Sequence, residues 1–85
     1  MDKDYAWVIR GTQRKKVISA INSPKIPTQI KDTAKLSLNN VSDILREFRK
    51  KKIVQCINPE DKTGRIYKLT SKGMKIKEMV EKYGK

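Results

Sequence analysis

The sequence predicts an α+β domain, mainly α, with a three-helix core, a β-hairpin and a C-terminal helix. Three observations lead there. Apolar residues recur at helical spacing in three successive segments between residues 12 and 51, each bounded by turn formers. A run rich in β-branched residues, 53–57, and a second strand-like run, 65–69, follow, separated by a polar stretch containing Pro59 and Gly64. A last amphipathic segment, about 71–83, closes the chain.

The first helix is expected over 12–23, where Val17, Ile18 and Ile21 share a face, with Thr12 after Gly11 as N-cap and Asn22-Ser23-Pro24 as the stop. Upstream, Tyr5-Ala6-Trp7-Val8-Ile9 is apolar but short. A strand, a helical extension and a packed arm all suit residues 1–11. Pro24 and Pro27 bracket Lys25-Ile26 and force an extended connection, after which Pro27 is well placed as the first residue of a short second helix, Thr28 to Ala34. Ile30 and Ala34 form its i,i+4 apolar pair.

Ser37 can cap a third helix, 38–51, by accepting from the free backbone N–H groups of its first turn. Val41, Ile44, Leu45 and Phe48 fall on one stripe, which leaves Asn39, Asn40, Ser42, Asp43, Arg46 and Arg49 off the core face. The hairpin follows, with a long polar tip over 58–65. Thr70 or Ser71 caps the last helix, whose Met74, Ile76, Met79, Val80 and Tyr83 supply apolar contacts.

A chain of 85 residues buries only ~60–65% of its unfolded surface, so residues 1–85 are expected to form one domain around one core. Its formal charge of +12 points to a polyanionic partner. The excess is largest in 24–52, which hold eight basic and three acidic side chains. Catalysis has no support: there is no histidine, and Asp32, Asp43, Glu47, Glu60 and Asp61 form no recognisable pair at catalytic spacing. The single cysteine, Cys56, allows no internal disulfide and no thiolate zinc site, and reads as a small buried apolar residue. No cofactor and no metal are expected. The longest apolar stretch, Tyr5 to Ile9, is too short for a signal peptide or a membrane span, so a soluble, cytoplasmic, nucleoid-associated protein is expected.

Two short helices joined by a tight turn, the second polar and opening on a serine cap, form a helix-turn-helix pattern. A basic hairpin with a glycine in its tip follows directly, as a wing would. Three stretches carry a closer likeness: Pro27-Thr28-Gln29-Ile30, then Leu36-Ser37-Leu38-Asn39-Asn40-Val41-Ser42-Asp43-Ile44-Leu45, then Gly64-Arg65-Ile66-Tyr67-Lys68-Leu69-Thr70-Ser71-Lys72-Gly73. Over about residues 12–80 the chain resembles the winged helix-turn-helix transcriptional regulators of archaea and bacteria, of the broad ArsR and MarR type. It departs from them at Lys31, where alanine is usual, and in lacking a cysteine or histidine cluster for metal sensing.

The resemblance implies a regulator that binds double-stranded DNA, with the reading helix at the bases and the wing arginine at the backbone or minor groove. It places the reading roles on Ser37, Asn39, Asn40, Ser42 and Arg46, beside Asp43, and the wing role on Arg65. Chemistry agrees independently, because Asn pairs bidentately with adenine and Arg with guanine. Thr28, Arg49, Lys50, Lys51, Lys52, Lys62 and Lys68 would neutralise or hydrogen-bond phosphates and set register. Tyr5, Trp7, Met79, Val80 and Tyr83 exceed what so small a core hides easily, and terminal helices build the dimer interface in these regulators, so a homodimer is expected through those residues. Two other functions fit the pattern: a winged-helix protein–protein module, and an architectural binder that uses nucleic-acid backbone contacts alone.

Overall fold

A computed structural model describes residues 3–83. Its elements run α1 (Lys3–Ile9), α2 (Thr12–Ala20), α3 (Pro27–Ala34), α4 (Leu38–Lys50), β1 (Val54–Cys56), β2 (Tyr67–Leu69) and α5 (Ser71–Tyr83). The N-terminal segment is therefore a helix. Tyr5 and Val8, one turn apart, are buried in the core. Gly11 N–H reaches back to Val8 O at 3.1 Å while Gly11 O already accepts from Lys15 N–H, so the chain passes from α1 into α2 with no intervening loop. Gly11, not Thr12, is the N-cap of α2, in extended conformation and without a side-chain cap. That helix also stops at Ala20, shorter than its apolar pattern predicts.

Pro27 opens α3 as expected, and the Gln29 side-chain oxygen accepts from Ile26 N–H at 3.2 Å. Lys35 terminates α3 in the left-handed conformation (φ 59°), where its own N–H and that of Leu36 both reach Lys31 O. Ser37 then caps α4, its Oγ accepting from Asn40 N–H at 3.2 Å. At the other end Lys52 is left-handed (φ 62°), Ile53 N–H bonds Phe48 O at 2.8 Å and Lys52 N–H bonds Arg49 O at 3.1 Å. This is a Schellman stop with lysine at the position that usually takes glycine. It is sealed by the buried Phe48 and Ile53.

The hairpin is antiparallel with Val54 opposite Leu69, Gln55 opposite Lys68 and Cys56 opposite Tyr67. Along β2 the burial alternates, Tyr67 and Leu69 inward and Lys68 outward. Cys56, at the outer end of β1, is only half-buried, because the strand leaves the core there; its Sγ lies 3.8 Å from Asn58 Oδ1. The extended segment between the two prolines acts as a third edge. Lys25 N–H donates to Tyr67 O at 2.9 Å and Tyr67 N–H to Lys25 O at 2.8 Å. Those two bonds tie the start of the helix-turn-helix to the wing and fix their relative placement.

Every helix contributes to one core, with Val8, Val17, Ile18, Ile30, Val41, Phe48, Ile53 and Ile76 fully enclosed. The C-terminal helix is fastened to the end of α4 by a polar clamp. Thr70 Oγ1 donates to Lys52 O at 2.6 Å, Thr70 N–H to Ile53 O at 3.0 Å, and Lys72 Nζ to Lys51 O at 2.9 Å. Thr70 Oγ1 in turn accepts from Gly73 N–H at 3.0 Å, so Thr70 is the residue that caps α5.

Candidate nucleic-acid interface

The wing and the outer face of α4 enclose a common cleft of about 550 Å³. Its floor is apolar, made by Ile26, Pro27, Leu45 and Tyr67. Its walls carry Arg46 and Arg49 from α4 and Lys62 and Arg65 from the wing, with Thr28, Ser42 and Thr63 between them. No acidic side chain lines it. Four cations facing one opening whose lining holds no acid create a positive potential that low-dielectric walls concentrate.

The wing tip is built by Asn58. Its side-chain oxygen accepts from Ile66 N–H at 2.6 Å, while its Nδ2 donates to Asp61 Oδ2 at 2.8 Å and to Gly64 O at 3.2 Å. Gly64 adopts φ +67°, which a side chain tolerates poorly. Arg65 Nε donates to Asp61 O at 2.7 Å, which holds the guanidinium against the tip. The organising role of Asn58 escaped the sequence reading, although an Asn-Pro pair is a recognised turn initiator.

On α4 the residues expected to read bases separate by helical phase. Asn39, Asp43 and Arg46 are exposed on the outermost face, and Ser42 is half-buried on the side toward the wing. Arg46 Nη1 lies 3.5 Å from Asp43 Oδ1; with both side chains about 70% exposed (68% and 71%), this pair orients the guanidinium more than it stabilises the fold. Asn40 is half-buried and shares its flank with Ile44 and Glu47, which line a separate hollow beside Trp7 and Arg14. Ser37 Oγ is engaged in capping.

The residues expected at phosphates also divide. Thr28, Arg49, Lys62 and Arg65 line the cleft, and Lys50 is exposed on the last turn of α4. Lys51 is committed elsewhere: its Nζ lies 3.7 Å from Asp4 Oδ1 and 4.8 Å from the Trp7 ring centroid. Lys52 is exposed just past α4, and its carbonyl is held by Thr70. Lys68 lines a different hollow, between the end of α2 and α5, with Met74 and Glu81.

Asp4 joins α1 to both Lys51 and Lys72. Its carboxyl is held below the usual value, chiefly by the hydrogen bond from Lys72 and by the charges of the two lysines, against an opposing push from burial. Trp7 packs edge-on against Phe48 with ring centroids 5.7 Å apart, and Arg14 lies 4.2 Å from the Trp7 centroid. Tyr5 and Val80 sit inside the core of the single chain, which corrects the expectation that they offer surface to a second copy. Tyr5 is carried into that core by α1, which packs against α2 and α5. Met79 is half-buried against the core, whereas Tyr83 and Met74 are 65% and 58% exposed.

Among the described residues, no group of three or more His, Cys, Asp or Glu side chains is placed to hold a metal ion. None of the described helices is long and apolar enough to cross a membrane.

No protein-family model and no curated protein matches the chain. Solved structures do. A MarR family transcription regulator superposes with a TM-score of 0.76 at 18% identity, over 93% of this chain and 59% of that one. The reduced form of MarR from E. coli superposes with a TM-score of 0.73 at 26% identity, over 93% of this chain and 61% of that one. The chain thus spans about three-fifths of the length of the regulators it matches. With five helices and a two-stranded hairpin that superpose in this way, the chain has the winged helix-turn-helix fold of MarR family transcription regulators.

Proposed function

We propose that this chain is a transcriptional regulator that binds double-stranded DNA, with α4 in the major groove and the wing at the backbone or minor groove. The cleft carries the proposal: Arg46 and Arg49 on one wall and Lys62 and Arg65 on the other, with no acid between them. Asn39, Ser42, Asp43 and Arg46 would meet base edges, Arg46 suiting guanine and Asn39 adenine. Thr28, Arg49, Lys50, Lys62 and Arg65 would meet phosphates. The likeness to MarR family regulators supports the same reading.

We read the chemistry here as binding, a reading that the likeness to transcription regulators supports. We place such a regulator in the cytoplasm at the nucleoid, and infer pairing of two copies through the exposed end of α5 around Met79 and Tyr83, which would set two reading helices about one DNA turn apart. Selection from a random duplex pool, followed by titration of the selected and a scrambled duplex at two salt concentrations, tests the proposal. A preferred site, symmetric if two copies bind, with affinity falling as salt rises, is the expected result. Equal affinity for both duplexes at each salt concentration would leave only backbone binding and defeat it.

A further inference from the structure

Above the apolar floor of the cationic cleft one large apolar side chain is left exposed. Leu38, the first residue of α4, is 44% exposed and lines the opening together with Ser42, Arg46 and Arg49. The other large apolar residues of that helix are spent on the core: Val41, Leu45 and Phe48 are buried and Ile44 is half-buried. The local needs of the helix start are also met without Leu38. Ser37 provides the cap, and Leu36 and Val41 hold the two positions at which an apolar staple fixes the entering chain, Leu36 packing against the core.

An exposed leucine gains nothing from phosphates or from the arginines beside it. The floor of the major groove carries one apolar group, the 5-methyl of thymine. Resting on the proposed DNA-binding role, we infer that Leu38 is a specificity-determining residue that packs against a thymine methyl at the edge of the site. Arg46 lies eight residues on, about 12 Å along the helix axis, so its guanine and this thymine would be different base pairs.

The test replaces each thymine of the selected duplex by uracil, one at a time, which removes only the methyl and leaves the pairing edge unchanged. Wild-type protein is expected to bind about three- to fourfold more weakly at one such position, the effect of exposing a single methyl-sized group. Leu38→Ala should bind the thymine and uracil duplexes equally, and Leu38→Met, still apolar, should keep the preference. Unfolding curves of the variants confirm that a residue this exposed leaves the fold intact. Indifference of the wild type at every thymine, or discrimination that survives in Leu38→Ala, overturns the assignment of Leu38 while leaving sequence-specific binding in place. Failure of the pool to yield any preferred site removes the DNA-reading role itself, and this inference with it.

Discussion

Replacing Gly73 by alanine should destabilise the protein by about 2–4 kcal/mol, although alanine is the better helix former. A Cβ at that position would lie 2.1 Å from Ile53 O, 3.1 Å from Ile53 C and 3.2 Å from Leu69 Cδ2. The first contact is more than an ångström too short, and the atom is backbone, so no side-chain rotation relieves it. Ile53 O is also held by Thr70 N–H at 3.0 Å and Thr70 Oγ1 at 3.1 Å. For the methyl to fit, α5 must withdraw from the start of β1. Overpacking of this kind costs about 1–3 kcal/mol, and loosening the Thr70 bonds adds about 1 kcal/mol for each one lost. The propensity gain of alanine, roughly 0.5–1 kcal/mol, offsets only part. For a domain of this size the loss lowers the melting temperature by about 8–32 °C. Urea titration followed by far-UV circular dichroism measures it. Gly64→Ala serves as the control: nothing lies within 4 Å of its Cβ, so only the left-handed backbone penalises it, by about 1 kcal/mol. A Gly73→Ala protein within 0.5 kcal/mol of wild type, on the order of ordinary surface substitutions, would refute the close-approach argument.

Other consequences concern charge and the cationic cleft. Asp4→Asn removes a carboxylate whose pKa is lowered in the folded state, so its contribution is present above the ordinary aspartate value of 3.8 and fades as pH falls through the folded pKa. Denaturant titrations of both proteins should differ by up to about 1 kcal/mol at pH 7 and converge in strong acid; a constant gap would contradict the ion-pair account. Arg65→Ala should weaken binding to all duplexes and reduce the salt slope by about one unit, whereas Lys51→Ala, taken from the Asp4 and Trp7 contacts, should leave that slope nearly unchanged and lower stability. Equal slope changes in a fluorescence-anisotropy salt series would place Lys51 on the DNA after all. Asn39→Ala should erode discrimination between selected and scrambled duplex by about 1–3 kcal/mol and Asn40→Ala by less, since Asn40 lies half-buried off the outer face of α4. The reverse order in competition binding would contradict that assignment.

The sequence by itself determined α4, its serine cap, the proline-led helix before it, the hairpin and the capped C-terminal helix. Each of these rests on signals a few residues apart: an apolar stripe at 3.6-residue spacing, a hydroxyl three residues before the N–H it accepts from, a proline or a glycine where the backbone needs it. The positive balance was likewise a matter of counting. Tertiary structure decided what distant segments do to one another. Residues 5–9 became a helix because Tyr5 and Val8 found a core to enter, and the same event hid Tyr5 and left Trp7 against Phe48. Within the run Arg49-Lys50-Lys51-Lys52 the residues look alike in sequence, yet α4 turns Arg49 toward the wing and Lys51 toward Asp4. A side chain's direction around a helix is set by which stripe is buried, and its partners by segments that arrive only when the core closes; neither is written in the neighbouring residues.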